Sequence, residues 1–200
     1  MKNRALNTAN AITLFRILLV PVFVGVMLMH RQLSLTGTSA TSLQYWRWFA
    51  ITVFAVAAIS DGIDGFVARH FNQKTELGTI MDPLADKLLL NAAILVLSFK
   101  MGLVRQFPFW FPLIVFTRDL IISLGAVIIR FLNIKMKIVP LVTSKITTFL
   151  QMLAVIVLLL DFSTKTFYFV VYSAALLTII SCVQYVFVGL KLVHEAEHNR

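Results

Sequence analysis

Residues Ser60 to Lys87 read S-D-G-I-D-G-F-V-A-R-H-F-N-Q-K-T-E-L-G-T-I-M-D-P-L-A-D-K, with long apolar runs on either side. Four aspartates, Asp61, Asp64, Asp82 and Asp86, fall within this stretch. A carboxylate held at membrane depth costs about 2.5–3.5 kcal/mol on an insertion scale, so four left uncompensated would cost on the order of 10 kcal/mol. A bound divalent cation is the cheapest compensation. The spacing agrees: Asp61 and Asp64 are i,i+3, Asp82 and Asp86 are i,i+4, and each pair shares one helical face. Gly65 and Ala68 continue the first face and Gly78 opens the second helix, leaving room for a flat ligand or a neighbouring helix. Hard oxygen ligands that also leave space for phosphate suit Mg²⁺ or Mn²⁺.

Working outward, 200 residues that are 59% hydrophobic do not make an ordinary soluble domain. Hydropathy gives six candidate spans, at about 11–30, 46–69, 79–100, 108–130, 143–161 and 166–190, each long enough for a ~30 Å hydrocarbon core. The expected fold is an all-α, six-transmembrane-helix bundle, one domain over 1–200. Residues 31–44, rich in Ser, Thr and Gly, read as a loop. The basic N-terminus leads into the first span, which reads as retained because no small-residue cleavage site follows it. Cys182, the single cysteine, lies in an apolar run and founds no disulfide framework.

The formal net charge is +9, yet charged residues make up only 14% of the chain. Basic groups therefore belong to loops and helix ends, which favours an anionic leaflet and phosphate-bearing ligands over nucleic acid. With both termini on one side, that side collects Lys2, Arg4, Arg69, Lys74, Arg130, Lys135, Lys137, Lys191 and Arg200. The opposite side has Arg31, Arg47, Lys100, Arg105 and Lys165. The positive-inside rule puts the termini and the Asp-rich hairpin in the cytoplasm, and Trp46, Trp48 and Trp110 then fall near the other interface. In the fourth span, Arg118 cannot face lipid cheaply and is expected to point inward. Pairing of Arg118 with Asp119 is not expected, because adjacent helical residues diverge by about 100°.

The pattern D-x2-D-G-x2-A-R-x8-G-x3-D-x3-D is complete at Asp61, Asp64, Gly65, Ala68, Arg69, Gly78, Asp82 and Asp86. It resembles the signature of the CDP-alcohol phosphatidyltransferases, integral membrane enzymes of phospholipid synthesis. D-P-L-A-D-K is similar to the branch that makes phosphatidylglycerophosphate or cardiolipin. The resemblance implies transfer of the phosphatidyl group of CDP-diacylglycerol to an alcohol, with release of CMP. It implies two divalent ions held by Asp61, Asp64, Asp82 and Asp86, with Asp86 as the base that deprotonates the attacking hydroxyl. Gly65, Ala68 and Gly78 would make room for the cytidine, and Arg69 would be a structural or phosphate-side contact.

Asn10, Thr13 and Arg16 resemble the family's N-x2-T-x2-R run in the first span, a polar edge of the nucleotide site. The competing reading of these residues is a helix N-cap and a snorkelling Arg. Arg118 and Lys145, with Arg130, are candidates for the acceptor's phosphate. A homodimer is a family expectation, and the lack of a Ser/Arg-rich presequence favours a bacterial plasma membrane.

Two acceptors fit, glycerol 3-phosphate and phosphatidylglycerol. Members using glycerol 3-phosphate usually show Arg-Glu, a second Arg about two turns on, and a K-x-K-T run. This chain has Arg118-Asp119, Ala126, and Lys145-Ile146-Thr147-Thr148, departures that resemble the cardiolipin synthases, as does Arg130. The glycerol-3-phosphate enzyme is the commoner bacterial member of this size, and the reading leans to it. Intramembrane acids also mark ion or proton transporters. Those usually show repeated halves with broken helices, whereas here the acids gather at one end of two adjacent helices.

Overall fold

A computed structural model of the chain describes residues 8–70, 87–131 and 142–198. Six helices form the described chain: α1 (Thr8–Leu35), α2 (Ala40–His70), α3 (Lys87–Val96), α4 (Trp110–Phe131), α5 (Val142–Leu159) and α6 (Thr164–His198). Among the described residues, Leu14–Leu35, Val142–Leu159 and Thr164–Lys191 are long and apolar enough to cross a bilayer. Three such helices mark a membrane protein.

Several expected boundaries move. The loop placed at 31–44 shrinks to residues 36–39, because α1 continues to Leu35 and α2 begins at Ala40. Local bonds explain where α1 stops. Thr38 donates its backbone N–H to the Leu33 carbonyl at 3.2 Å, and Gly37 takes a left-handed φ of 68° that costs glycine little. Ser39 then precedes α2 as its N-cap, its Oγ 3.4 Å from the Ser42 amide. The third helix ends at Val96, short of the expected residue 100. The last helix continues through His198, so the polar H-E-A-E-H run at 194–198 is helical.

The contacts divide the chain into two compact units, Met1–Phe107 with Leu159–Asp161, and Pro108–Leu158 with Phe162–Arg200. In the first unit α1 packs on α2. Phe23, Val26 and Met27 are buried on α1, and Ala50, Val53, Phe54 and Ala57 on α2, each set recurring every three or four residues. Phe23 meets Phe54 with ring centroids 6.0 Å apart. On α3 the stripe is Leu89, Leu90, Ala93 and Ile94, and the buried Leu97 follows directly after it. Outside these stripes the helices remain apolar: Leu14, Leu18 and Val22 of α1 are exposed. Side chains that face lipid need not be polar, and the alanines in the stripes let backbones approach closely.

In the second unit α4 packs on α6. Trp110 stacks on Tyr172 at 5.5 Å between centroids. Polar side chains join α5 to α6: Gln151 Nε2 donates to Thr178 Oγ1 at 2.9 Å, and the Thr147 hydroxyl lies 3.1 Å from the Leu177 carbonyl. Such bonds between membrane helices are worth about 0.6–2 kcal/mol each. They fix register where apolar surface alone would let the helices slide.

Candidate active site

The helix α2 runs without a break through the first half of the acidic motif. Asp61, Asp64, Gly65 and Ala68 therefore stand at i, i+3, i+4 and i+7 of one helix, a single face. Arg69 follows one residue before its end. Asn10 and Thr13 lie in the first two turns of α1, and Arg130 in the last turn of α4. For these eight residues the helix backbone is described and the side chains are not. Gly78, Asp82 and Asp86 lie outside the described residues; α3 begins at Lys87, directly after Asp86. Among the described residues no group of three or more His, Cys, Asp or Glu side chains is placed to hold a metal ion. The four motif aspartates are not in that set.

Arg16 is only 2% exposed, so it is part of the packed interior and does not snorkel to water. Arg118 is likewise buried, at 3% exposure, as its place in an apolar helix requires. Its Nη1 donates to Asp119 Oδ1 at 2.8 Å, and its Nη2 donates to Ser181 Oγ at 3.1 Å and to Ser144 Oγ. The Arg118–Asp119 pair corrects the expectation that neighbours on a helix point too far apart to meet. Three methylenes and a broad guanidinium reach back across the offset, so Asp119 orients the Arg that precedes it.

These bonds leave the guanidinium partly unused. Arg118 Nε has no hydrogen-bond partner among the described residues although it is buried. Ser144 and Ser181 accept from Arg118, and neither hydroxyl donates to another described residue. A buried cation with a spare N–H beside two hydroxyls with spare protons is chemically matched to an oxyanion. Lys145, the next residue on α5, is exposed.

Sequence reasoning missed Ser144 and Ser181. The available signal was weak: Ser181 continues, three residues on, the buried α6 series Val171, Ala174 and Thr178.

Comparison with known proteins gives the chain its family. A family model described as CDP-alcohol phosphatidyltransferase matches residues 6–188. A protein of Mycobacterium tuberculosis (strain ATCC 25618 / H37Rv) named "Probable phosphatidylglycerophosphate synthase" is 32% identical over 187 residues, covering 92% of this chain and 81% of that protein. A protein of Blochmanniella floridana named "CDP-diacylglycerol--glycerol-3-phosphate 3-phosphatidyltransferase" is 34% identical over 184 residues, 88% of this chain and 87% of its own length. One of the same name from Escherichia coli (strain K12) is 39% identical over 93 residues, 46% of this chain and 44% of that protein.

Proposed function

The chain belongs to the CDP-alcohol phosphatidyltransferase family, and from that premise we propose that it transfers the phosphatidyl group of CDP-diacylglycerol to glycerol 3-phosphate. A glycerol hydroxyl oxygen attacks the phosphatidyl phosphorus, the bond from that phosphorus to the CMP oxygen breaks, and CMP leaves. The observation that carries the reading is the complete eight-position motif at 61–86. One relative named for glycerol 3-phosphate and another named for phosphatidylglycerophosphate, each matching over most of both chains, support the choice of acceptor.

Asp61, Asp64, Asp82 and Asp86 are the residues that would hold two divalent cations, Mg²⁺ or Mn²⁺. Their fit rests on chemistry: hard carboxylate oxygens in pairs one helical turn apart, the first pair on an unbroken helix. A divalent ion bound there neutralises charge on the donor's diphosphate. Asp86 accepts the proton of the attacking hydroxyl. Asn10, Thr13, Asp61, Gly65, Ala68, Arg69 and Gly78 bind the nucleotide and diphosphate. We read the chain as one six-span membrane domain, 1–200, with the acidic hairpin at the cytoplasmic interface and a homodimer as its assembly. There the acyl chains of the donor stay in the leaflet while the nucleotide reaches the aspartates.

Arg118, Lys145 and Arg130 bind the acceptor's phosphate. Support comes from the buried Arg118 guanidinium, whose Nε lacks a partner among the described residues. Arg118→Ala is expected to raise KM for glycerol 3-phosphate about 10- to 100-fold, the worth of a hydrogen bond to a charged group, with KM for CDP-diacylglycerol little changed. Steady-state kinetics with each substrate varied in turn decides it; an unchanged acceptor KM removes Arg118 from that pocket.

Purified protein given CDP-diacylglycerol with glycerol 3-phosphate or phosphatidylglycerol, in separate reactions, tests the acceptor. Lipid mass spectrometry is expected to find phosphatidylglycerophosphate from the first and no cardiolipin from the second. Cardiolipin alone would overturn the choice.

A further inference from the structure

We propose that the end of the first unit remote from the acidic motif carries a second lipid site, for the headgroup of an anionic, hydroxyl-bearing phospholipid. A cavity of about 320 Å³ opens there between the C-terminal turns of α1, the first turns of α2 and residues 102–104. That volume is at the lower end of ligand pockets, which run ~300–1,000 Å³, and suits a headgroup rather than a whole lipid. Along α2, Arg47 of the cavity stands fourteen residues before Asp61, roughly 21 Å at the helical rise per residue. The two sites are distinct.

The cavity wall is fixed. His30, 3% exposed, donates from Nδ1 to the Met101 carbonyl at 2.8 Å. Gly102 closes the loop onto α1 so tightly that a Cβ there would lie 2.5 Å from Ser34 Cβ, and its φ of +77° favours glycine as well. The ring's Nε2 makes no hydrogen bond to any described residue. A hydroxyl is the group that it would take.

The charge is set by three residues. Arg105 bonds Asp161 Oδ1 directly, while Arg47 reaches Asp161 Oδ2 only at 3.8 Å, beyond hydrogen-bond range. Two guanidiniums against one carboxylate leave one positive charge in excess. The excess belongs to Arg47, which makes no hydrogen bond to any described residue. Arg47 and Gln44 line the cavity, and Leu43, Leu103 and Val104 supply its apolar side. Val104 is 79% exposed, and Tyr45 and Trp48 stand exposed on the same turns of α2, as residues of a membrane–water interface do. A cation for a phosphate, an acceptor for a hydroxyl and an apolar flank together describe a phospholipid headgroup with acyl chains leaving into the bilayer.

The test is native mass spectrometry of the full chain in detergent, titrated separately with phosphatidylglycerol and phosphatidylethanolamine. The wild type is expected to retain one phosphatidylglycerol about tenfold more tightly than phosphatidylethanolamine, the scale of one charge-assisted contact. Arg47→Gln abolishes that preference. Leu43→Trp, which fills the cavity and leaves the charges alone, removes the bound lipid. Both variants keep wild-type turnover of CDP-diacylglycerol, which shows that they fold. Equal retention of the two lipids, or phosphatidylglycerol held undiminished by Leu43→Trp, overturns the site. Displacement of the lipid by millimolar inorganic phosphate would make it a site for a free anion and overturn the lipid assignment.

Discussion

Asp86→Asn is expected to cut turnover about 10²- to 10⁴-fold, the usual worth of a positioned general base. Binding of CDP-diacylglycerol should stay within a few-fold of wild type. Asparagine keeps the size of the side chain and one carbonyl oxygen that can still ligate a cation, but it accepts no proton at neutral pH. The substitution therefore separates two roles that the motif gives one residue. Steady-state kinetics with donor binding measured in parallel reads the difference. Donor binding lost in proportion to turnover would make Asp86 a ligand only, and residual turnover with weak binding would remove the base assignment altogether.

Why the acidic motif stood out, and the helix packing around it less so, follows from the solvent. An aspartate in an apolar run stands out because the bilayer penalises it, so spacing alone put Asp61 and Asp64 on one helical face, and α2 carries both. Buried stripes are another matter. Leu18 is exposed while Phe23 and Met27 are buried, yet all three are equally apolar. Lipid and helix core accept the same side chains, so no periodicity separates them.

Polar composition misplaced the first connection for a related reason. The Ser- and Thr-rich run at 31–44 marks where the chain leaves apolar surroundings, and helix persists beyond that point at both ends, to Leu35 and from Ala40. Arg118 was legible as a buried cation, but its partners were not. Ser144 and Ser181 read as small packing residues in apolar helices, and only the packing of α4, α5 and α6 within their unit reveals them as hydrogen-bond acceptors. The expectation that Arg118 and Asp119 would not pair failed on side-chain length: a rule about Cβ directions holds for short residues and not for arginine.

Removing divalent cations is the other change with a large expected effect. In the proposed site four carboxylates at one end of two adjacent spans would repel one another, and a donor diphosphate would add further negative charge. Without a cation that assembly is unfavourable, so the account requires both donor binding and turnover to collapse, where loss of Asp86 spares binding. Arg118 cannot substitute, since its single positive charge is already offset by Asp119. The decisive measurement is CMP release from CDP-diacylglycerol and glycerol 3-phosphate by the purified chain, in excess chelator and after adding back Mg²⁺ or Mn²⁺. The account predicts that release falls to the uncatalysed background in chelator and returns with either ion. Undiminished CMP release in excess chelator would contradict it.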